Sequence, residues 1–271
     1  MHIDTADAGR TVAARGLLAQ LDDSNAVSLG VLSGAELCVL GGTGHPVCWE
    51  PLKSAWQQLD QMEREQLAET STLAMFRRGL VKDQPPGRGV KALFFPACYK
   101  LSAELGLLLG ARKSPALIVA THHESRTPAV TYFQPRGTTA IVEEVPDRAD
   151  NGIAGTARSP LDVIFSYRLL TCDFAVSELA RWALKPIPAA RYQPIPPRLI
   201  CFFGATEGDS PASCQLTIYG NGEQARVHGP GISADLGSRE LTGFITDLLA
   251  KWADSHNSLG AGARQQRLTG P

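Results

Sequence analysis

The sequence has little net charge. Its 26 lysine and arginine residues are balanced by 27 aspartate and glutamate residues, which leaves a formal net charge of −1 over 271 residues. Non-specific binding to nucleic acids or to anionic membranes depends on a surplus of basic side chains. The overall charge therefore supports neither kind of partner. Binding to nucleic acid would require a local basic patch.

The chain also lacks a long apolar run. A membrane-spanning helix needs about 20 consecutive apolar residues, and the richest stretch, residues 101–120, is interrupted by Glu104, Arg112, Lys113 and Pro115. The first ten residues are mixed and polar, without the basic segment followed by an apolar one that is typical of a signal peptide. We expect no membrane partner and a cytoplasmic location.

Regular cysteine spacing is missing as well. Zinc sites and disulfide frameworks usually show it, most often as Cys-x-x-Cys. Here six cysteines are scattered through apolar surroundings: Cys38, Cys48, Cys98, Cys172, Cys201 and Cys214. The pattern favours buried, reduced thiols and agrees with a cytoplasmic protein.

The motifs of common enzyme classes are incomplete. Gly41-Gly-Thr-Gly-His follows an apolar run, as a phosphate-binding loop does, but Val47 stands where a dinucleotide fingerprint has its third glycine. His122-His-Glu offers metal-binding side chains, but neighbouring residues of a strand point to opposite faces. No Gly-x-Ser-x-Gly elbow is present. We predict no catalytic, cofactor-binding or metal-binding residues, so an enzyme using the His122–Glu124 loop is the third interpretation of function.

What the sequence does contain is a plan that occurs twice, an amphipathic helix followed by apolar extended segments. The first copy covers Lys100–Val145 and the second Asp173–Gly229. Within them the apolar segment that begins at Ala116 aligns with the one that begins at Arg198. Such a duplication, without a repeated nucleophile, phosphate loop or metal spacing, indicates a scaffold that presents a surface to a partner.

Hydrophobic periodicity and turn residues predict the secondary structure. Helices are predicted at residues 11–21, 51–59, 62–78, 101–112, 174–184 and 238–252, and strands at 35–40, 117–120, 129–133, 139–145 and 161–167, with two or three more between 199 and 227. Gly79 is expected to end a helix in a left-handed conformation, and Asp173 to cap the start of another. Four aromatic residues are expected to lie mainly in the core, where any exposed one would mark a partner surface: Trp182, Tyr219, Phe244 and Trp252.

A second interpretation concerns the helix predicted at residues 62–78. Together with the preceding helix and a Gly/Pro-rich stretch carrying Arg88 and Lys91, it resembles the helix pair and wing of a winged-helix DNA-binding module. The DNA contacts would then come from four side chains: Thr70, Ser71, Arg77 and Arg78. Against this, cations at the end of a helix also complement its dipole. Three glutamates on the same helix would repel phosphate: Glu63, Glu65 and Glu69.

The order of the predicted elements resembles that of the EspG-type chaperones of actinobacterial type VII (ESX) secretion systems. A winged-helix-like segment ending in Arg77-Arg-Gly-Leu-Val is followed by the two similar halves and a closing helix at 241–252. The resemblance covers roughly Leu37–Trp252 and implies a cytosolic protein that binds secretion substrates without catalysis. The first 35 residues and the proline-rich segments 84–89 and 192–197 depart from the family pattern, and no position-specific motif allows a binding residue to be transferred.

The sequence thus predicts an α+β protein with five parts. These are an N-terminal extension (1–34), a winged-helix-like segment (35–99), a first helix-plus-antiparallel-sheet half (100–150), a second such half (151–254) and a disordered tail (255–271). The preferred function is a non-catalytic chaperone or adaptor that binds a protein client on a sheet face or edge. The alternative is a winged-helix transcriptional regulator with a C-terminal sensing part. The sequence carries no signal for an oligomeric state.

Overall fold

The computed structural model describes residues 13–22, 25–41, 49–82, 101–113, 115, 117–123, 126–133, 138–144, 159–186, 198–204, 213–229 and 231–251. The helices in this part of the chain are α1 (residues 13–18), α2 (Gly34–Val39), α3 (Glu50–Gln58), α4 (Gln61–Arg77), α5 (Ala103–Lys113), α6 (Cys172–Leu184) and α7 (residues 238–251), with a short 3₁₀ turn at Pro160–Asp162. None of the described helices combines the length and apolar character needed to cross a membrane.

The described strands are β1 (Val27–Ser33), β2 (Leu117–His123), β3 (Arg126–Phe133), β4 (Thr139–Glu144), β5 (Ile164–Thr171), β6 (Arg198–Gly204), β7 (Ser213–Gly220), β8 (Gln224–Gly229) and β9 (Ile232–Gly237). They form a sheet in the order β1-β5-β4-β3-β2-β6-β7-β8-β9. The pairings of β1 with β5, β2 with β3, β2 with β6, and β6 through β9 in succession are antiparallel. Helices and a large antiparallel sheet confirm the predicted α+β class.

The chain divides into two compact units, and the first comprises the described residues within 1–21, 27–113 and 143–169. In this unit α2 begins at Ser33, whose side chain accepts a hydrogen bond from the N–H of Glu36 (3.2 Å) while the Glu36 carboxylate accepts one from the N–H of Ser33 (2.9 Å). This capping box starts a helix. The strand predicted at residues 35–40 is therefore wrong, because the short apolar run is a fully buried helix and the strand lies just before it.

The predicted helix pair of the first unit is confirmed as α3 and α4. Asp60 and Glu63 form the capping box of α4, and Gly79, at φ +73°, follows its C-terminal end in the left-handed region as expected. Arg112 of α5 and Glu143 of β4 form a buried ion pair in the same unit. Because separating such a pair would leave a buried charge uncompensated, it fixes α5 in place.

The second unit comprises the described residues within 22–26, 114–142 and 170–271. Its core is formed by α6 and α7 with one face of the sheet, where Val119, Ile200, Ile218, Val227 and Ile245 are completely buried. Helix α7 presents the predicted apolar stripe from Leu241 to Leu249 to this core. This stripe holds α7 against the sheet.

One prediction for the second unit is wrong, and one strand was missed. Thr171, rather than Asp173, caps α6, since its hydroxyl accepts a hydrogen bond from the N–H of Phe174 (3.2 Å). Strand β9 was not predicted, although its burial alternates along the strand. The predicted boundary at 34/35 falls inside the first unit, and those at 99/100, 150/151 and 254/255 lie outside the described residues, so the five predicted parts stay a prediction.

Candidate functional site

The four residues of the DNA-binding interpretation lie on and just after α4. Ser71 is 5% exposed and faces the core, and the Thr70 hydroxyl donates a hydrogen bond to the carbonyl of Gln66 (2.9 Å). Arg77 is exposed at the end of the helix. Of these three, only Thr70 and Arg77 face solvent, so the predicted polar contact surface is reduced.

Arg78 has a role inside the first unit. Its Nη2 forms an ion pair with Glu36, whose side chain is 7% exposed, and its Nη1 donates a hydrogen bond to the carbonyl of Val31 in β1 (2.9 Å). A buried carboxylate needs such a partner. Arg78 therefore neutralises Glu36 and fastens α4 to β1, and a phosphate would have to compete with both contacts.

The residues considered for metal or phosphate binding can be placed only in part. Glu124, the side chains of His122 and His123, and residues 42–48 of the glycine-rich segment lie outside the described residues. Elsewhere in the described part of the chain no group of three or more His, Cys, Asp or Glu side chains is arranged to hold a metal ion.

Three cysteines have described side chains and are reduced thiols: Cys38, Cys172 and Cys201. Burial, together with the neighbouring Asp173, raises the pKa of the Cys172 thiol to about 11. Since the thiolate is the nucleophile, Cys172 is protonated and inert near neutral pH.

Strands β7, β8 and β9 carry an exposed polar surface in the second unit. The register of these strands places Tyr219, Arg226 and Asp235 in one row and Thr217, His228 and Ser233 in the next. The alternating residues point to the other side of the sheet, where Ile218 and Val227 are completely buried. We call this surface the β7–β9 face and define it by six residues: Thr217, Tyr219, Arg226, His228, Ser233 and Asp235.

An ion pair holds one row of the face in place. Arg226 Nε and Nη2 donate to the two carboxylate oxygens of Asp235, each at 2.8 Å. These hydrogen bonds raise the pKa of Arg226 and lower that of Asp235 from their ordinary values. Bidentate pairs fix the guanidinium plane as well as its position, so the cation has a defined orientation on this face.

A second set of contacts orders the other row. Ser233 Oγ lies 3.0 Å from His228 Nδ1, and the His228 ring meets the Tyr219 ring edge to face with centroids 6.4 Å apart. Tyr219 is nevertheless 41% exposed. An aromatic ring that is supported on one side and open on the other is typical of a binding surface.

The face contains serine, histidine and aspartate, but their geometry differs from that of a hydrolase triad. In a triad the aspartate orients the imidazole and the serine approaches its other nitrogen. Here both Asp235 oxygens accept hydrogen bonds from Arg226, and Ser233 lies at Nδ1 of His228. All three residues are exposed on a sheet surface, so the arrangement is suited to contact rather than to acyl transfer.

A shallow, open pocket of about 430 Å³ lies at one end of the face, lined by Tyr219, Asn221, Gln224, Arg226 and Asp235. Asn221 fixes the turn below it, because its side-chain oxygen accepts hydrogen bonds from the N–H groups of Glu223 (3.0 Å) and Gln224 (2.8 Å). The turn is fastened to the end of α6 by a hydrogen bond from the Gly222 N–H to the carbonyl of Leu184 (2.8 Å). The turn that forms the floor of the pocket is therefore anchored to α6 of the second unit.

Sequence reasoning missed this face. Tyr219 was expected among four aromatic residues that lie mainly in the core, and it is 41% exposed. The available signal was the alternation of polar and apolar residues from Gln224 to His228, which is typical of a half-exposed strand. Which side chains share a row follows only from the register.

No protein-family model matches the chain, and no curated protein sequence or solved structure matches it either. The resemblance to EspG-type chaperones stays a prediction.

Proposed function

We propose that this chain is a non-catalytic protein-binding chaperone or adaptor whose client docks on the β7–β9 face. The observation that carries the proposal is the pairing of an exposed, supported Tyr219 with an Arg226 that Asp235 holds in a fixed orientation. Tyrosine and arginine are the residues that, with tryptophan, most often dominate the binding energy of protein interfaces.

Preorganisation is the physical advantage of this arrangement. Immobilising a long side chain on binding costs about 0.5–1.5 kcal/mol. Because Arg226 is already tied to Asp235, and His228 to Ser233, part of this cost is met in the free protein. The face can therefore bind a client with little loss of conformational freedom.

The chemistry of the face selects the client. The exposed Tyr219 ring offers apolar contact and a hydroxyl, and Arg226 offers N–H groups to acceptors. A folded protein surface with an apolar side chain next to carbonyl or carboxylate oxygens complements both. The resemblance in element order to EspG-type chaperones supports a type VII secretion substrate as this client and the cytoplasm as the place of binding.

The test is affinity purification from the native host, followed by titration calorimetry with the protein that is recovered at stoichiometric yield. Tyr219→Ala is expected to weaken binding at least tenfold, as for truncation of a central aromatic contact. Leu73→Ala is the matched control, since Leu73 is similarly exposed (38%) but lies on α4 in the first unit. Unchanged affinity of Tyr219→Ala, or equal losses in both variants, would contradict docking on this face.

A further inference from the structure

Strand β9 ends the sheet on one side. Among the described strands it pairs with β8 alone, in a continuous register from Gln224 opposite Gly237 to Gly229 opposite Ile232. It contains none of the lysines, prolines or bulges that commonly prevent an edge strand from pairing with another chain. β9 ends at Gly237, whose N–H donates to the carboxylate of Glu240 (2.8 Å) in the first turn of α7.

The hydrogen bonds of the β7–β8 turn show which backbone groups of β9 point outward. The carbonyl of Gln224 accepts a hydrogen bond from the N–H of Asn221 (3.0 Å), and its own N–H donates to the Asn221 side chain (2.8 Å), so both groups point toward β7. Direction alternates along an antiparallel strand. With the β8–β9 register, Ala234 then directs its backbone groups toward β8, and Ser233 and Asp235 direct theirs away from the sheet.

The side chains of β9 alternate between the two sides of the sheet. Ile232 and Leu236 are partly buried against the core, whereas Ser233 and Asp235 belong to the β7–β9 face. Opposite residues of antiparallel strands lie on the same side of a sheet. If β9 pairs with its own copy, the twofold axis must therefore pass through a residue, so that core-facing side chains meet one another.

One register of self-pairing gives each of these side chains a suitable residue opposite it. An axis at Asp235 would place two carboxylates directly opposite each other, which is unfavourable. An axis at Ala234 instead places Ile232 opposite Leu236 of the second copy and Ser233 opposite Asp235 of the second copy. The outward backbone groups of Ser233 and Asp235 also meet in this register, as an antiparallel ladder requires.

We propose that β9 pairs antiparallel with β9 of a second copy of this chain, with the twofold axis at Ala234. Side-chain complementarity supports this occupant, because the Asp235 carboxylate of each copy, an acceptor, lies opposite the Ser233 hydroxyl of the other, a donor. The interface is isologous and closes after two copies. It extends the sheet and leaves both β7–β9 faces on the same surface, which goes beyond the binding of a client to one face.

Sedimentation velocity of the full chain over a range of concentrations tests the proposal. The wild-type chain is expected to dimerise, and Ser233→Asp to weaken dimerisation about tenfold or more, because it creates two carboxylate pairs across the axis. Within one copy the new carboxylate lies opposite His228, so folding is preserved. Thr217→Asp is the matched control, since Thr217 is also opposite His228 but lies on β7, which has a strand on each side.

A double variant separates charge from other effects. Ser233→Asp combined with Asp235→Ser again places an aspartate opposite a serine, and it is expected to recover the dimer. A wild-type chain that stays monomeric at every concentration would overturn the proposal. So would equal behaviour of Ser233→Asp and Thr217→Asp with unchanged circular dichroism. Tyr219→Ala tests client binding independently of dimerisation, because Tyr219 lies on β7 and not on the dimerising strand β9.

Discussion

The two outermost strands of the sheet, β1 and β9, differ in how far they can pair with another chain. In β1, Gly30 has φ +98° and the register with β5 shifts between Ser28 and Gly30, while Arg78 occupies the carbonyl of Val31. β9 has an unbroken register, and in the described part of the chain the side-chain contact to its outward backbone is at its last residue, where the Gly237 N–H donates to Glu240. Irregularity and a bound side chain protect an edge from pairing.

The difference shows that edge protection is local and has identifiable causes. The left-handed conformation at Gly30 is available to glycine at little cost, and the Arg78 contact is available because Glu36 needs a cation nearby. Among the described residues, Ser233 to Leu236 of β9 show no left-handed glycine and no such side-chain contact on the outward side, and their side chains suit a copy of themselves. We therefore expect β1 to resist pairing and β9 to pair with a second copy.

The largest expected effect is a loss of stability when Gly220, the last residue of β7, is replaced. A methyl group at Gly220 would overlap the carbonyl oxygen of Ala183 and lie 2.9 Å from that of Leu184 at the end of α6. Gly220→Ala is therefore expected to reduce the free energy of unfolding by about 2–3 kcal/mol, measured by urea denaturation. Gly243→Ala is the control, since nothing lies within 4 Å of its added methyl group and alanine favours helix. Equal midpoints for the two variants would contradict the close approach.

The next largest effect is expected from a substitution that removes the protection of β1. Arg78→Ala leaves the buried Glu36 without its cation and uncovers the Val31 carbonyl, so we expect a loss of about 2 kcal/mol and concentration-dependent association through β1. Urea denaturation and light scattering measure the two results. Arg77→Ala, one position earlier and exposed, should change stability by less than about 0.5 kcal/mol. A stable, monodisperse Arg78→Ala protein would show that β1 is closed for another reason.

The smallest effect is the titration of Asp235 on β9. Hydrogen bonding from Arg226 lowers the pKa of Asp235 in the folded state. The contribution of the pair is therefore present above the ordinary aspartate pKa of about 4, and it is lost as the pH falls through the lowered value. Carboxyl-carbon NMR should show the Asp235 midpoint rising in Arg226→Met, whereas an unchanged midpoint would mean that the pair is absent in solution. Because both groups are exposed, we expect no measurable change in the urea midpoint.

The sequence was sufficient for elements whose signals are local. The capping box of Asp60 and Glu63 and the glycine at position 79 define the limits of α4, and the apolar stripe of α7 is readable at helical spacing. The helix α2 was misread because its six residues are all buried, which removes periodicity. The Ser33–Glu36 spacing was the signal that would have decided it.

The candidate site depends on register, which short segments do not specify. β9 was missed because alanine, aspartate and glycine are depleted in strands, and it forms here beside β8 after a turn with Gly231 at φ +74°. The rows of the β7–β9 face follow from that pairing. Neither they nor the edge could be placed from the sequence alone.

The predicted duplication can be compared with the register at the centre of the sheet. In the sequence alignment Val119 corresponds to Cys201 and Ala120 to Phe202, and in the sheet Val119 lies opposite Phe202 and Ala120 opposite Cys201. Cys201 therefore lies on the same side of the sheet as Ala120 and on the other side from Val119, whereas a twofold axis perpendicular to the sheet would keep corresponding residues on one side. The register gives this alignment no support, and the equivalence of the two halves stays a prediction.

The most direct test of β9 as a self-pairing edge is amide-resolved hydrogen exchange at two protein concentrations. The Ser233 and Asp235 N–H groups point outward, so their exchange should slow strongly at the higher concentration, while that of Ala234, already directed toward β8, should change little. Exchange at Ser233 and Asp235 that is fast and independent of concentration would contradict the account.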